Sequence, residues 1–136
     1  MRQTLVMLVG LTFSINVYAQ DAPSVLDGGV EAATELVFTE GPAYHRDGSV
    51  FFTDIANNRI MRLNPGAENA HTFLQPSGRA NGLMFDSHGF LLACEGNEKG
   101  GLGGRRLVSI DIISRKRTVI ADNFEGNRFN SLNDLC

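Results

Sequence analysis

The chain has 136 residues, is 43% hydrophobic and 20% charged, and carries a formal net charge of −3. No basic stripe runs through it, which argues against a nucleic-acid binder; Arg105-Arg106 and Arg115-Lys116-Arg117 are short clusters of the kind that flank solvated turns. Its longest apolar run is too short and too interrupted to cross a bilayer as a helix.

That run opens the chain. Arg2 supplies a positive start, Leu5 to Val17 is mostly apolar, and Val17-Tyr18-Ala19 has the small-residue pattern of a cleavage site. Residues 1–19 therefore read as a secretory signal peptide and 20–34 as a leader, so the protein is expected to be exported, periplasmic or secreted, with no membrane association after cleavage. Export would permit a disulfide between Cys94 and Cys136, but their placement at the ends of different strands favours two unpaired, partly buried thiols.

Glu35-Leu36-Val37-Phe38 reads as a short strand, entering as the outer, latching strand of a blade whose other strands lie elsewhere. Four strands are predicted next, at 42–44, 50–53, 59–64 and 70–74. Arg46-Asp47-Gly48 and Asn64-Pro65-Gly66 provide the positive-φ positions of tight turns. Four more are predicted at 82–85, 90–94, 106–112 and 117–121. The Gly-rich loop from Glu95 to Gly104 interrupts them; no helix pattern follows it, so it is not a phosphate cradle.

The second set repeats the first. With Glu40 laid over Asn81, Gly41 meets Gly82, Tyr44 meets Phe85, Gly48 meets Gly89, Phe51-Phe52 meets Leu91-Leu92 and Asp54 meets Glu95. The unit begins a third time at Asn133-Asp134-Leu135. A repeat of about 40–50 residues built from short strands marks an all-β fold, a β-propeller. Some hundred mature residues cannot close such a ring. Residues 35–136 are therefore expected to be an incomplete N-terminal piece: about two blades plus a latch strand.

Equivalent positions on innermost strands converge on a propeller's axis, which gathers Glu40, Asn81 and Asn133. One carboxylate and two amides make an all-oxygen site suited to a hard cation such as calcium. On spacing alone, ordinary turn and cap roles are the better explanation of the same residues. His45, His71 and His88 stand in or near turns and are expected to face solvent, and Asp54 and Glu95 to cap strand ends.

Thr39-Glu40-Gly41-Pro42, its Asp-Gly turn and Phe51-Phe52-Thr53-Asp54 resemble the gluconolactonase, regucalcin (senescence marker protein) and luciferin-regenerating enzyme family. The stretch from Asn123 to Leu135 is similar to that family's second hallmark. Gly78 to Leu83 and Leu92 to Glu95 fit its bacterial gluconolactonase branch. The resemblance implies a six-bladed propeller that hydrolyses small sugar-type lactones with a divalent cation. Calcium is the first expectation, with zinc, magnesium or manganese as alternatives. It implies Glu40 and Asn133 as metal ligands and Arg128 and Asn130 as substrate contacts; Asn81 joins the substrate side by its repeat position. Leu132 stands where the family usually has Pro. The resemblance places a further Asn ligand and an Asp that acts as ligand and base in a C-terminal half, so no catalytic base is assigned within these residues and the piece alone is expected to be inactive. A binding or scaffold propeller without catalysis is the competing expectation. Neither the oligomeric state nor the preferred lactone is written in the sequence.

Overall fold

Residues 5–8, 12–15, 38–97 and 103–136 are described by the computed structural model of the chain. Two units divide it, Met1–Ala32 and Ala33–Cys136. In the first, β1 (Leu5–Leu8) and β2 (Thr12–Ile15) pair antiparallel with Leu5 opposite Ile15. The leader at 20–34 and most of the expected latch strand lie outside the described residues; of that strand only Phe38 is described, and its carbonyl accepts a bond from the Ile55 N–H at 3.1 Å.

The second unit is all β. One sheet is ordered β3 (Thr39–Tyr44), β4 (Val50–Asp54), β5 (Arg59–Leu63), β6 (His71–Leu74). The next is ordered β7 (Ala80–Phe85), β8 (Leu91–Glu95), β9 (Arg106–Ile110), β10 (Arg117–Ala121). Every pairing is antiparallel between neighbours in sequence. Two four-stranded meanders, each led by its innermost strand, are two propeller blades. The predicted strands agree with these within three residues, the largest difference being the start of β3 at Thr39.

Register confirms the repeat and corrects one detail of it. Thr39↔Asp54, Ala43↔Phe51 and Tyr44↔Val50 in the first blade become Ala80↔Glu95, Met84↔Leu92 and Phe85↔Leu91 in the second. Leu92, not Leu91, therefore occupies the place of Phe51. The turns repeat in the same step. Gly48 N–H bonds His45 O and His45 N–H bonds Ser49 O; Gly89 and Asp86 do the same, with Gly48 and Gly89 at φ +91° and +89°.

The core lies between the blades. Phe51, Phe73 and Ile60 from the first pack with Leu83, Leu91, Ala93, Val108 and Ile110 from the second. Phe51 is its centre, edge-on to Phe73 at 5.0 Å and to Phe85 at 5.3 Å, and burying it completely is worth about 1.5–3 kcal/mol. His45 departs from the expectation of a solvent-facing side chain. It is buried, its ring 4.8 Å from that of Phe85, with Nδ1 2.9 Å from Asp47. His71 and His88 are exposed, as expected.

Inner strands from the two blades meet backbone to backbone. A Cβ placed on Gly41 would strike Asn81 O and come within 2.8 Å of Gly82 Cα and Leu83 N. A Cβ on Gly82 would strike the Asp134 carboxylate and lie 2.7 Å from Asp134 Cα. Glycine is thus required twice, at equivalent positions, by the next repeat's approach. Gly41 also holds φ +50°. Gly41→Ala should destabilise the fold by at least about 2 kcal/mol, from left-handed strain and overpacking together. Thermal denaturation should show the melting temperature down by roughly 10 °C; an unchanged melting curve would mean that the blades do not close on each other here.

Candidate functional site

The three repeat starts lie side by side. Asn133 O accepts the Gly82 N–H at 2.7 Å, and Asn81 Nδ2 donates to Asn133 Oδ1 at 2.6 Å. Fully buried Thr53 ties the first pair, its hydroxyl 3.0 Å from both Glu40 O and Asn81 O, so one proton is shared between the carbonyls of two blades. Cys94 occupies Thr53's place in the second blade and is equally buried. Burial first, and the Asp134 charge second, push its thiol up to about 11. Both cysteines are free; Cys94 is buried as expected, whereas Cys136 is exposed.

Beside Asn81 opens a cleft of about 180 Å³ lined by Ile55, Arg79, Gly96, Asn97, Ser131 and Leu132. Asn81 is thereby joined to Asn133 and to this cleft. Glu40 is one strand away: its carbonyl reaches Thr53, but its side chain is exposed and lines a separate hollow with Thr39, Pro42 and Phe52. Arg128 donates from Nη2 to Gly104 O at 3.2 Å, and Asn130 is exposed in the same connection. That connection holds a hairpin the sequence reading missed. β11 (Asn123–Phe124) pairs β12 (Asn127–Arg128) around Glu125 and Gly126, both at positive φ. The dipeptide Glu-Gly is a weak form of the Asn-Gly or Asp-Gly signal for such a turn. Arg105 Nε holds its end by donating to Phe129 O at 2.5 Å.

Asp54 and Glu95 are more than strand caps. Each is fully buried, and each faces the arginine opposite on the third strand of its blade. Arg59 Nε lies 3.0 Å from Asp54, and Arg106 Nε lies 2.6 Å from Glu95, which Arg117 also reaches at 3.2 Å. Burial alone would raise the Asp54 carboxyl, but bonds from Asn57 and Arg59 outweigh it and hold the group below its ordinary value. These pairs lock the strand ends that frame the cleft.

The donor set answers what kind of ion these residues suit. A carboxylate from Glu40 and the Asn133 Oδ1, which keeps a second lone pair beside the Asn81 bond, are hard oxygens. They fit an oxygen-seeking cation in kind. In number they fall short of a shell, since among the described residues no three His, Cys, Asp or Glu side chains gather as ligands.

Residues 38–136 match the family described as the SMP-30/Gluconolactonase/LRE-like region. The chain belongs to that family. It is 30% identical over 117 residues to the gluconolactonase of Zymomonas mobilis, covering 76% of this chain and 31% of the relative. A solved gluconolactonase from Xanthomonas campestris superposes with a TM-score of 0.64 at 21% identity, over 74% of this chain and 31% of that one. A second solved protein, assigned as a gluconolactonase, gives 0.65 at 32% identity over 76% and 34%. The chain thus spans about a third of the length of the relatives it matches.

Two solution measurements follow from the buried groups. In the native protein at pH 8, a thiol reagent should modify Cys136 quickly and Cys94 only on unfolding; two equally fast thiols would contradict the burial of Cys94. Asp54 is depressed in the fold, so its stabilisation is present above the ordinary carboxylate value near pH 4 and lost as pH falls through the lower folded value. Melting temperatures should therefore drop below about pH 4, and Asp54→Asn should flatten that part of the profile while lowering stability at neutral pH by about 3–5 kcal/mol.

Proposed function

We propose that these blades belong to an exported, metal-dependent hydrolase of sugar-type lactones. The carrying observation is the family match over residues 38–136 together with the Asn81–Asn133 contact that brings two repeat starts to one point. Two blades in about a third of the relatives' length agree with a six-bladed ring, and on this reading further blades complete the site.

Asn133 would hold a divalent cation, calcium first among the candidates, and Glu40 would join it once its exposed side chain turns from its own hollow toward the axis. Such an ion, when bound, polarises a lactone carbonyl and offsets the negative charge that develops as the ring opens. Asn81 acts on Asn133: by donating to its Oδ1 it fixes the amide with the oxygen, rather than the nitrogen, aimed along its face. Arg128 and Asn130 sit on the connection over the cleft. The planar guanidinium of Arg128 can grip a substrate carbonyl or hydroxyl oxygen in two parallel bonds, and the Asn130 amide can serve either as donor or acceptor. The side of Leu132 and Ile55 keeps part of the cleft wall apolar and reduces the water around those contacts. The proton-accepting base is expected from the blades beyond these.

The test is acid release from glucono-1,5-lactone by the gene product that carries these residues, with and without chelator. Glu40→Ala or Asn133→Ala should cost at least about a hundredfold, and Asn81→Ala about 10- to 100-fold, reversed in part by excess calcium. Wild-type rates in Glu40→Ala, or in chelator, would remove the metal from the reading; no acid release by the unaltered protein would leave a binding propeller without catalysis.

A further inference from the structure

Arg79 has no role in the reading above, yet its backbone is held on both sides at the cleft. Its backbone sits at φ +52°, a left-handed conformation that a long L side chain rarely adopts. Both of its peptide groups are pinned. The N–H donates to Asn58 Oδ1 at 2.7 Å, and the carbonyl accepts the Gly96 N–H at 3.1 Å. Asn58 comes from the first blade and Gly96 from the second, so the two blades together impose the strain. Asn58 is itself buried and held: its Oδ1 also accepts the Ser77 hydroxyl at 3.1 Å, and its carbonyl the Ser77 N–H at 2.8 Å. Strain fixed from both sides at a cleft is where positioned functional groups are found.

The side chain so positioned is a cation without an anion. Arg59, Arg62, Arg106 and Arg117 each pair with a carboxylate, whereas none of the ion pairs among the described residues involves Arg79. It lines the cleft with Asn81, Asn97 and Ser131, and among the described residues no carboxylate lines that cleft. A half-buried guanidinium beside two amides and a hydroxyl presents one strong anion site amid groups that bond hydroxyls. Carboxylate and phosphate are the anions whose geometry the guanidinium fork matches.

We propose that Arg79 reads an anionic substituent on the substrate, so that the lactones taken here are acidic sugar lactones bearing a carboxylate or a phosphate. This rests on the lactonase reading of the same cleft, but its binding component can be measured apart from it. Three lactones separate the sources: glucono-1,5-lactone is neutral, saccharic acid 1,4-lactone carries a carboxylate and 6-phosphogluconolactone a phosphate. With the gene product that contains these residues, at least one acidic lactone should have the higher kcat/KM. Arg79→Asn, which tolerates the left-handed backbone, should lower the acidic-to-neutral ratio about 10- to 100-fold through KM, and Arg79→Lys should restore part of it. Calorimetric binding of saccharate and 6-phosphogluconate should weaken by a similar factor in Arg79→Asn and with added salt. A preference for the neutral lactone, or an equal loss on all three, overturns the proposal and leaves the hydrolase reading intact. Arg79-dependent binding of the acids with no hydrolysis of any lactone does the reverse. Neither binding nor hydrolysis removes both.

Discussion

The contact between inner strands of successive repeats is the constraint from which the rest follows. Where Gly41 meets Asn81-Gly82, and Gly82 meets Asn133-Asp134, the backbones approach more closely than any side chain would allow. That closeness lets one Thr53 hydroxyl serve carbonyls of two blades. It also brings Asn81 and Asn133 within a hydrogen bond although 52 positions separate them. In a site assembled in this way the symmetry of the repeat, and not the individual loop, supplies the convergence. It also makes the site depend on global packing: moving the blades apart by the width of one methyl group would separate the amides.

Substitutions between repeats show which positions are architectural and which are free to specialise. Gly48 and Gly89, and the buried carboxylates Asp54 and Glu95 with their facing arginines, recur because every blade needs a tight turn and a locked strand end. Thr53 and Cys94 share a place but not a chemistry. A hydroxyl that bridges carbonyls becomes a thiol, a weak donor, held neutral against the Asp134 charge. The second interface is therefore fastened less from the Cys94 position than by the Gly82 N–H to Asn133 O bond and the Asn81–Asn133 side-chain pair. The residues most exposed to that difference are those of the site itself.

Much of the fold was legible because its signals are local. Alternation with Asp-Gly and Pro-Gly turns located the strands of the first blade, the repeat carried them to the second, and the step from Glu40 to Asn81 appears again in the pairing register. What the sequence hid depends on partners distant along the chain. His45 looked like a turn residue, and it is one, but Phe85 of the next blade covers its ring. Asp54 looked like a cap until its cross-strand neighbour Arg59 was known to close on it. Phe51-Phe52 and Leu91-Leu92 invited an alignment by likeness that the register moves by one residue, since a period of two makes neighbouring apolar residues point to opposite faces. Of the site, the approach of Asn81 and Asn133 was readable from repeat position. The separate hollow at Glu40 was not, because repeat position places a Cα and leaves the side chain's direction open.

Arg79 illustrates the remaining gap in a different way. Nothing in its triplet Gly78-Arg79-Ala80 distinguishes it from an ordinary surface cation. What distinguishes it is a backbone held from two sides and a cleft with no counter-charge among its described lining residues, and both arise only when the blades are packed. A flexible, solvated arginine would lose rotational freedom on gripping an anion. One whose backbone is already fixed by the inter-blade bonds loses no main-chain freedom on gripping an anion, and only its side-chain torsions remain to be ordered. The same packing that makes a shared site possible thus also decides which cation beside it is pre-positioned to choose the substrate.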